Sequence, residues 1–359
     1  MITWIKETQS LFKLEWVMAN KIGRVLTALA FGAMALAPMQ AGAENFENAF
    51  DKTFGTQTRA PVVFQPAYSS QLEEYVARLA DGTQGRIGVA ALDLKTGEQV
   101  SILGNQRFPM ASTSKIAIVA TFLDGVDKGR WTLDDAFPKM VSLPSKKLSS
   151  PAAPTRPGEV LPARTLIEQA LIHSNNQATD GLLAAVGGPR AVNEWVRRAG
   201  IQGFSLDRDI ATLVRDETEF DPSLYIDPRD STTPLAMVQL LKGLNEGRWL
   251  SPASRNFLIA TMARCETGKN RIKGQMPADV LVAHKTGSLF NTSSDVGILT
   301  MPDGHSIALA IYVTGGGNDR GYRTDRISLI ARAIYDGFSG APLNTRVLLD
   351  AGYTQSGGR

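Results

Sequence analysis

Met110-Ala111-Ser112-Thr113-Ser114-Lys115 leads into an almost wholly apolar run, Ile116-Ala117-Ile118-Val119-Ala120, followed by Phe122 and Leu123. A run that is apolar on every side reads as a helix buried all round. At spacing i, i+3 the Ser112 hydroxyl and the Lys115 amine share one helix face, one turn apart. An ammonium group taken out of water needs a partner or a lowered pKa, so a lysine in the first turn of such a helix is unusual. Two readings follow. Ser112 is a nucleophile with Lys115 as its proton acceptor, or Ser112 or Thr113 caps the helix and Lys115 snorkels to solvent. S-x-x-K by itself does not choose between them.

Working outward, the chain alternates between strand-like ends and a helical middle. Ser69 or Ser70 caps a helix with Leu72, Tyr75, Val76 and Leu79 inward, closed by Gly82. Ile87–Leu94 and Gln99–Leu103 read as a hairpin turning at Lys95-Thr96-Gly97-Glu98. Residues 125–162 carry Pro138, Pro144, Pro151, Pro154 and Pro157 and read as a long irregular segment. Thr165 and Glu168 form a capping box for a helix over Leu166–His173. Helical spacing returns over Ala178–Val186, from Pro189 to Gly200, from Thr233-Pro234 to about Gly247, and after Ser251-Pro252. Val280–Thr286, Val296–Met301 and His305–Val313 are strand-like, and Arg323–Phe338 is a closing amphipathic helix. That order predicts an α+β fold: one antiparallel five-stranded sheet flanked by helices from both chain ends, with an all-helical domain inserted. The expected boundaries are a sheet domain from 67–110 and 252–340, a helical domain at 111–251 and a loose tail at 341–359.

The chain has 359 residues, and a 43% hydrophobic, 20% charged composition is ample for a large core. A net charge of +3 with no basic stripe gives no reason to expect nucleic acid. With Cys265 as the single cysteine, no internal disulfide or thiolate cluster can form. His173, His284 and His305 show neither H-x-H nor H-E-x-x-H spacing, so no metal is expected. Lys21 and Arg24, the apolar run Val25–Ala37 and the small-residue site Ala41-Gly42-Ala43 have the order of a secretory signal peptide. The run is shorter than the ~20 residues of a membrane span. Glu7 and Glu15 suit an n-region poorly, so translation is expected to start at Met18 and cleavage to follow Ala43, with residues 44–66 as an arm. The mature protein is then periplasmic or secreted, with no membrane attachment.

Three further features join Ser112. Ser174-Asn175-Asn176 lies between two helices, Lys285-Thr286-Gly287 lies on a strand, and an acidic, proline-containing stretch runs from Arg215 to Asp230. S-x-x-K, S-x-N and K-T-G in this order and spacing resemble a class A serine β-lactamase, a motif set shared with penicillin-binding proteins. The likeness covers roughly residues 65–340. It implies hydrolysis of β-lactam antibiotics through an acyl-serine, hence antibiotic resistance, with no cofactor, a small-molecule β-lactam as partner and a monomeric enzyme. Residues 215–230 resemble the Ω-loop of that family, with Arg215 and Asp230 as the ion pair at its neck and Glu217 at the position that activates the hydrolytic water.

The residues also make chemical sense directly. Opening a strained amide needs an activated nucleophile, an oxyanion site, a proton for the leaving nitrogen and a base for deacylation. Ser112 supplies the nucleophile, and Lys115, flanked by Lys285, can act as a neutral base once its pKa is lowered. Glu217 acting through water is the other candidate for that first step. Ser174 relays a proton to the leaving nitrogen. By the resemblance, the N–H groups of Ser112 and Ser288 form the oxyanion hole, Asn176 holds the acyl amide, and Thr286, Gly287 and Ser288 bond along the substrate edge. Lys285 offers a cation to the substrate carboxylate. Arg271 falls where some carbapenem-hydrolysing members place a carboxylate-binding arginine, and Ser294-Asp295 stands where many others have theirs.

Three departures stand out. Asn175 replaces the aspartate of S-D-N, Asp221 replaces the asparagine that helps hold the water, and Ala111 and Leu289 occupy the places of a cysteine pair found in some carbapenemases. Glu217 and Asp221 facing one water would raise one pKa and slow deacylation. His173 and His284 read as packing beside the motifs, Glu219 as structural or solvated, and Cys265 as a buried thiol. The alternatives are a penicillin-binding DD-peptidase, or a sensor that is acylated and stays so.

Overall fold

The computed structural model describes residues 68–81, 85–317 and 319–343. The expected signal segment, the arm at 44–66, Gly82 and most of the tail lie outside the described residues.

Helix α1 (Gln71–Leu79) begins where the Ser70 hydroxyl accepts the Glu73 N–H, and it turns Leu72, Tyr75, Val76 and Leu79 inward. Strands β1 (Ile87–Asp93) and β2 (Gln99–Ile102) form a hairpin, with Gly97 at φ 79° in the turn, so Lys95-Thr96-Gly97 is a turn only. The short strand β3 (Phe108–Pro109) runs into a 3₁₀ turn (Ala111–Ser114) and then helix α2 (Lys115–Asp127).

The segment read as irregular holds a second hairpin, β4 (Ala136–Ser142) with β5 (Thr155–Pro162). Its prolines are tolerated because the two strands pair only with each other and the register shifts between Pro138 and Met140. Helix α3 (Ala163–Ile172) starts two residues ahead of the expected capping box, and no side chain caps it. Its first N–H groups, from Ala163 and Arg164, donate to Asp135 O and Leu133 O, so Thr165 and Glu168 have no orphan donor to satisfy.

Next come α4 (Asn176–Val186), α5 (Gly188–Arg198), β6 (Phe204–Ser205), α6 (Ile210–Arg215), β7 (Ser231–Thr232), α7 (Pro234–Asn245) and α8 (Pro252–Ala263). Asn175, Asp209, Thr233 and Ser251 cap α4, α6, α7 and α8. Strands β8 (Leu281–Leu289), β9 (Thr292–Thr300) and β10 (Ser306–Thr314) precede the last helix, α9 (Arg320–Phe338).

The main sheet has five antiparallel strands in the order β2-β1-β10-β9-β8. Its central strands are apolar on both faces because each face meets helices. Along β10, Ile307, Leu309, Ile311 and Val313 pack with Val76 of α1 and Ile327, Ile330 and Ile334 of α9. The alternate residues Ala308, Ala310 and Tyr312 join the other core, with α2, α3, α4 and α7. The edge strand β8 thus runs beside the start of α2. Gly287 makes that approach possible: a Cβ there would lie 2.7 Å from Met110 O and 3.0 Å from Ala111 Cβ. Among the described residues no helix is long and apolar enough to cross a membrane.

Candidate active site

The turn that carries Ser112 is fixed by its own hydroxyls. Thr113 Oγ1 donates to Met110 O at 2.7 Å and Ser114 Oγ to Ala111 O at 2.9 Å, which tightens the chain into a 3₁₀ turn ahead of α2. Ala111 sits at φ 48°, a left-handed conformation that non-glycine residues adopt at a cost of ~1–3 kcal/mol. Ser112 is half-buried, and among the described residues no group hydrogen-bonds its hydroxyl.

One helical turn on, Lys115 is fully buried. Its Nζ donates to Ser174 O at 2.7 Å, Asn176 Oδ1 at 2.8 Å and Ser174 Oγ at 3.3 Å. Lys285, equally buried, donates to the same Ser174 hydroxyl at 2.9 Å and to Thr286 O at 2.9 Å. Snorkelling is excluded for both. Burial and the neighbouring Lys285 ammonium push Lys115 well below an ordinary lysine. Burial lowers Lys285 to about 8. Ser174 is held at φ 57° between the two amines, so a second strained residue lies at this junction.

Asp180, which the motifs do not mark, supplies the nearest counter-charge to Lys115. It lies on α4, accepts the N–H groups of Ile210 and Ala211 at 2.7 and 2.9 Å, and is raised to about 7 chiefly by burial. The sequence signal was an acid within the apolar stretch Ala178-Thr179-Asp180-Gly181-Leu182.

The strand side of the site is β8. Thr286 is buried and its hydroxyl lies 2.6 Å from that of Thr267, whereas Ser288 is exposed at the rim. Arg271 reaches this rim, and three of its five N–H donors are engaged: Nη1 bonds Gly287 O and Ser294 O at 2.8 Å each, and Nη2 bonds Ser288 Oγ at 2.6 Å. It braces β8 against β9 and orients Ser288.

The acidic segment differs from expectation. The ion pair predicted between Arg215 and Asp230 is not formed. Asp230 accepts Arg208 Nε at 2.5 Å and the Asp207 and Arg208 N–H groups, while its own carbonyl accepts the Met110 N–H at 2.9 Å. Arg215 instead forks onto Asp216 at 2.8–2.9 Å and bonds Ser150. The cation that closes the neck is therefore Arg208, which follows the same turn as Asp207 and reaches Asp230 without crossing the loop. Glu219 is structural, paired with Arg229 at 2.8 Å.

Glu217 accepts the Phe290 N–H at 3.1 Å, and among the described residues no hydrogen bond joins it to Ser112, Lys115 or Asp221. Asp221 is bonded to Ser223 and Asn291 instead. Burial works against ionisation of Asp221, but the Ser223 hydroxyl and N–H and the Asn291 amide hold it below the ordinary carboxylate value. The expected rise in pKa is thus reversed. Among the described residues no group of three His, Cys, Asp or Glu is placed to hold a metal ion.

Residues 71–338 match the model of the β-lactamase enzyme family. A β-lactamase from Proteus vulgaris is 29% identical over 272 residues, covering 76% of this chain and 97% of that protein. β-Lactamase CTX-M-4 of Salmonella typhimurium is 30% identical over 276 residues, covering 76% of this chain and 91% of its own. Among solved structures, an ancestral (GNCA) class A β-lactamase superposes with TM-score 0.64 at 33% identity, over 75% of this chain and 100% of that one. A β-lactamase from Chitinophaga pinensis gives TM-score 0.64 at 30% identity, with the same coverage. With its motifs, its sheet order and these matches taken together, the chain belongs to the β-lactamase enzyme family and resembles the class A branch within it.

Proposed function

We propose that this protein hydrolyses the β-lactam ring of penicillin- or cephalosporin-type antibiotics through an acyl intermediate on Ser112, and so confers resistance. The observation that carries the reading is the convergence of two buried lysines, Lys115 and Lys285, on the Ser174 hydroxyl beside the Ser112 turn. Burial and the Lys285 ammonium favour the neutral form of Lys115, which can then take the Ser112 proton. Ser174, wired to both amines, can then pass a proton to the leaving nitrogen.

The close approach of Gly287 to Met110 and Ala111 brings β8 beside the Ser112 turn, which supports an oxyanion site built from the Ser112 and Ser288 N–H groups. Lys285 in its charged form and the Thr286 hydroxyl would meet the substrate carboxylate. Asn176 and the edge of β8 would hold the rest of the substrate. Arg271 would act on that carboxylate through Ser288, whose hydroxyl it holds. Glu217 would leave Phe290 to activate the deacylating water. Its present contact favours a second reading, an acylated sensor or DD-peptidase with slow release. The enzyme is further proposed to act as an exported monomer without cofactor.

Incubation with a penicillin, followed by mass analysis and product assay, tests the reading. Expected are product beyond one equivalent of enzyme and a transient adduct on the Ser112 peptide, both lost in Ser112→Ala. Product formation that survives Ser112→Ala would sink it.

A further inference from the structure

Along β8 lies a buried constellation that the reaction as described leaves unused. His284, fully buried, places Nδ1 2.9 Å from both carboxylate oxygens of Asp295, which is equally buried. Its Nε2 makes no hydrogen bond among the described residues, and the Cys265 sulfur acts on the ring electrostatically. That sulfur lies 3.3 Å from Thr267 Oγ1 and 3.8 Å from Thr267 O. Thr267 Oγ1 in turn lies 2.6 Å from Thr286 Oγ1. A hydrogen-bonded chain therefore runs Cys265–Thr267–Thr286 and ends on the hydroxyl assigned to the substrate carboxylate, with the His284–Asp295 pair as the charged neighbour of the sulfur. The inference deepens the proposed function and rests on it.

Each hydroxyl has one proton to give, so the chain has a direction. We propose that Cys265 is a positioning residue whose protonation sets that direction, and so decides whether Thr286 offers its proton to the substrate carboxylate. With Cys265 a thiol, S–H donates to Thr267, the Thr267 hydroxyl donates to Thr286, and Thr286 is free to donate to substrate. With Cys265 a thiolate, the sulfur accepts from Thr267, which must then accept from Thr286. The Thr286 proton is then turned inward and a lone pair faces the carboxylate. The proton lost in this change leaves from sulfur to solvent, and no other bond changes.

The electrostatics suit such a switch. Burial opposes ionisation of Cys265, but the His284 imidazole and the Thr267 hydroxyl bring the thiol down to about 7. Burial opposes the His284 cation, but Asp295 and the sulfur raise it to about 9. His284 thus remains protonated while Cys265 titrates, so the proton that moves is the one on sulfur. The other charged groups facing the cysteine are Lys285 on β8, Arg271, and Lys273, whose Nζ donates to Cys265 O at 3.3 Å. Lys285 titrates higher, at about 8, so the two effects separate on a pH axis.

The test is the pH dependence of KM for a penicillin, measured between about pH 5.5 and 9. In the wild type KM should rise on the order of tenfold through pH 7, the weight of one hydrogen bond to a charged acceptor, and rise again near 8. Cys265→Ser and Thr267→Val should each lose the first rise, keep the second, and leave kcat at low pH unchanged. Persistence of the first rise in Cys265→Ser overturns the inference. As Cys265 is the single cysteine, thiolate ultraviolet absorbance reports its ionisation without substrate. A flat signal between about pH 6 and 8 overturns the inference whatever the enzyme hydrolyses. An inflection near 7 in a protein that turns over no β-lactam overturns the hydrolase reading instead, and with it the role of Thr286.

Discussion

The lysine cluster and the loop that carries Glu217 are built in opposite ways. Around Ser174, itself a strained residue, two fully buried ammonium groups make five hydrogen bonds of 2.7–3.3 Å, three of them to Ser174. Such a site is preorganised, and the folding energy of the core holds its strain. The Glu217 segment is held mainly by ion pairs at its neck and base, Arg208–Asp230, Arg215–Asp216 and Arg229–Glu219. Its middle exposes Phe220, Leu224, Tyr225 and Ile226. On the proposed mechanism the acylating half is preorganised, whereas the deacylating half would have to release the Glu217 carboxylate from the Phe290 N–H.

The most severe way to break the comparison is to remove the nucleophile. Ser112→Ala should cost on the order of 10⁴-fold or more in kcat/KM for a penicillin, read by steady-state hydrolysis. Next, Glu217→Gln should leave acylation intact and slow deacylation by roughly 10²–10³-fold, so that an acyl adduct persists in the mass spectrum. Equal slowing of both steps would mean the two halves are not separable.

pH sharpens the same contrast. If Lys285 binds the substrate carboxylate while charged, kcat/KM should fall as pH rises through about 8, beyond the step near 7 ascribed to Cys265. Loss of activity below 7 instead would assign the profile to Lys115, which must be neutral to act as base. A stability test addresses the neck. Arg208→Ala strands the buried Asp230 carboxylate and should lower thermal stability by ~3 kcal/mol, whereas Arg215→Ala, remote from Asp230, should be the milder change. The smallest effect is expected of Asp221→Asn. Since Ser223 and Asn291 engage Asp221, deacylation should be unchanged; a clear acceleration would put Asp221 beside the water after all.

What the sequence discloses divides along the same line. Lys115 and Lys285 sit on a helix and a strand whose apolar patterns are plain, and Ser112 and Ser174 in the turns that lead into helices, so their local settings were legible, while their convergence was expected only from the resemblance of the motif set. The strand pattern of both chain ends likewise announced the five-stranded sheet. The hairpin β4–β5 was hidden by its prolines, which read as breakers although an isolated two-strand ribbon tolerates them. Partner choice in the loop was hidden because Arg208, Arg215 and Arg229 all compete for nearby carboxylates, and burial of Asp230 rather than spacing decides among them. The Cys265–His284–Asp295 group was invisible for a different reason. It joins a loop to two strands across the sheet register, and each member alone reads as ordinary packing.

The central claim is that Ser112 acylates readily and that Glu217 must relocate to clear it. Stopped-flow hydrolysis of the chromogenic cephalosporin nitrocefin, with wild type and Glu217→Gln side by side, tests this most directly. The account predicts sustained turnover in the wild type, and in Glu217→Gln a burst of one equivalent followed by a slow phase. Wild-type turnover rates in Glu217→Gln would contradict it.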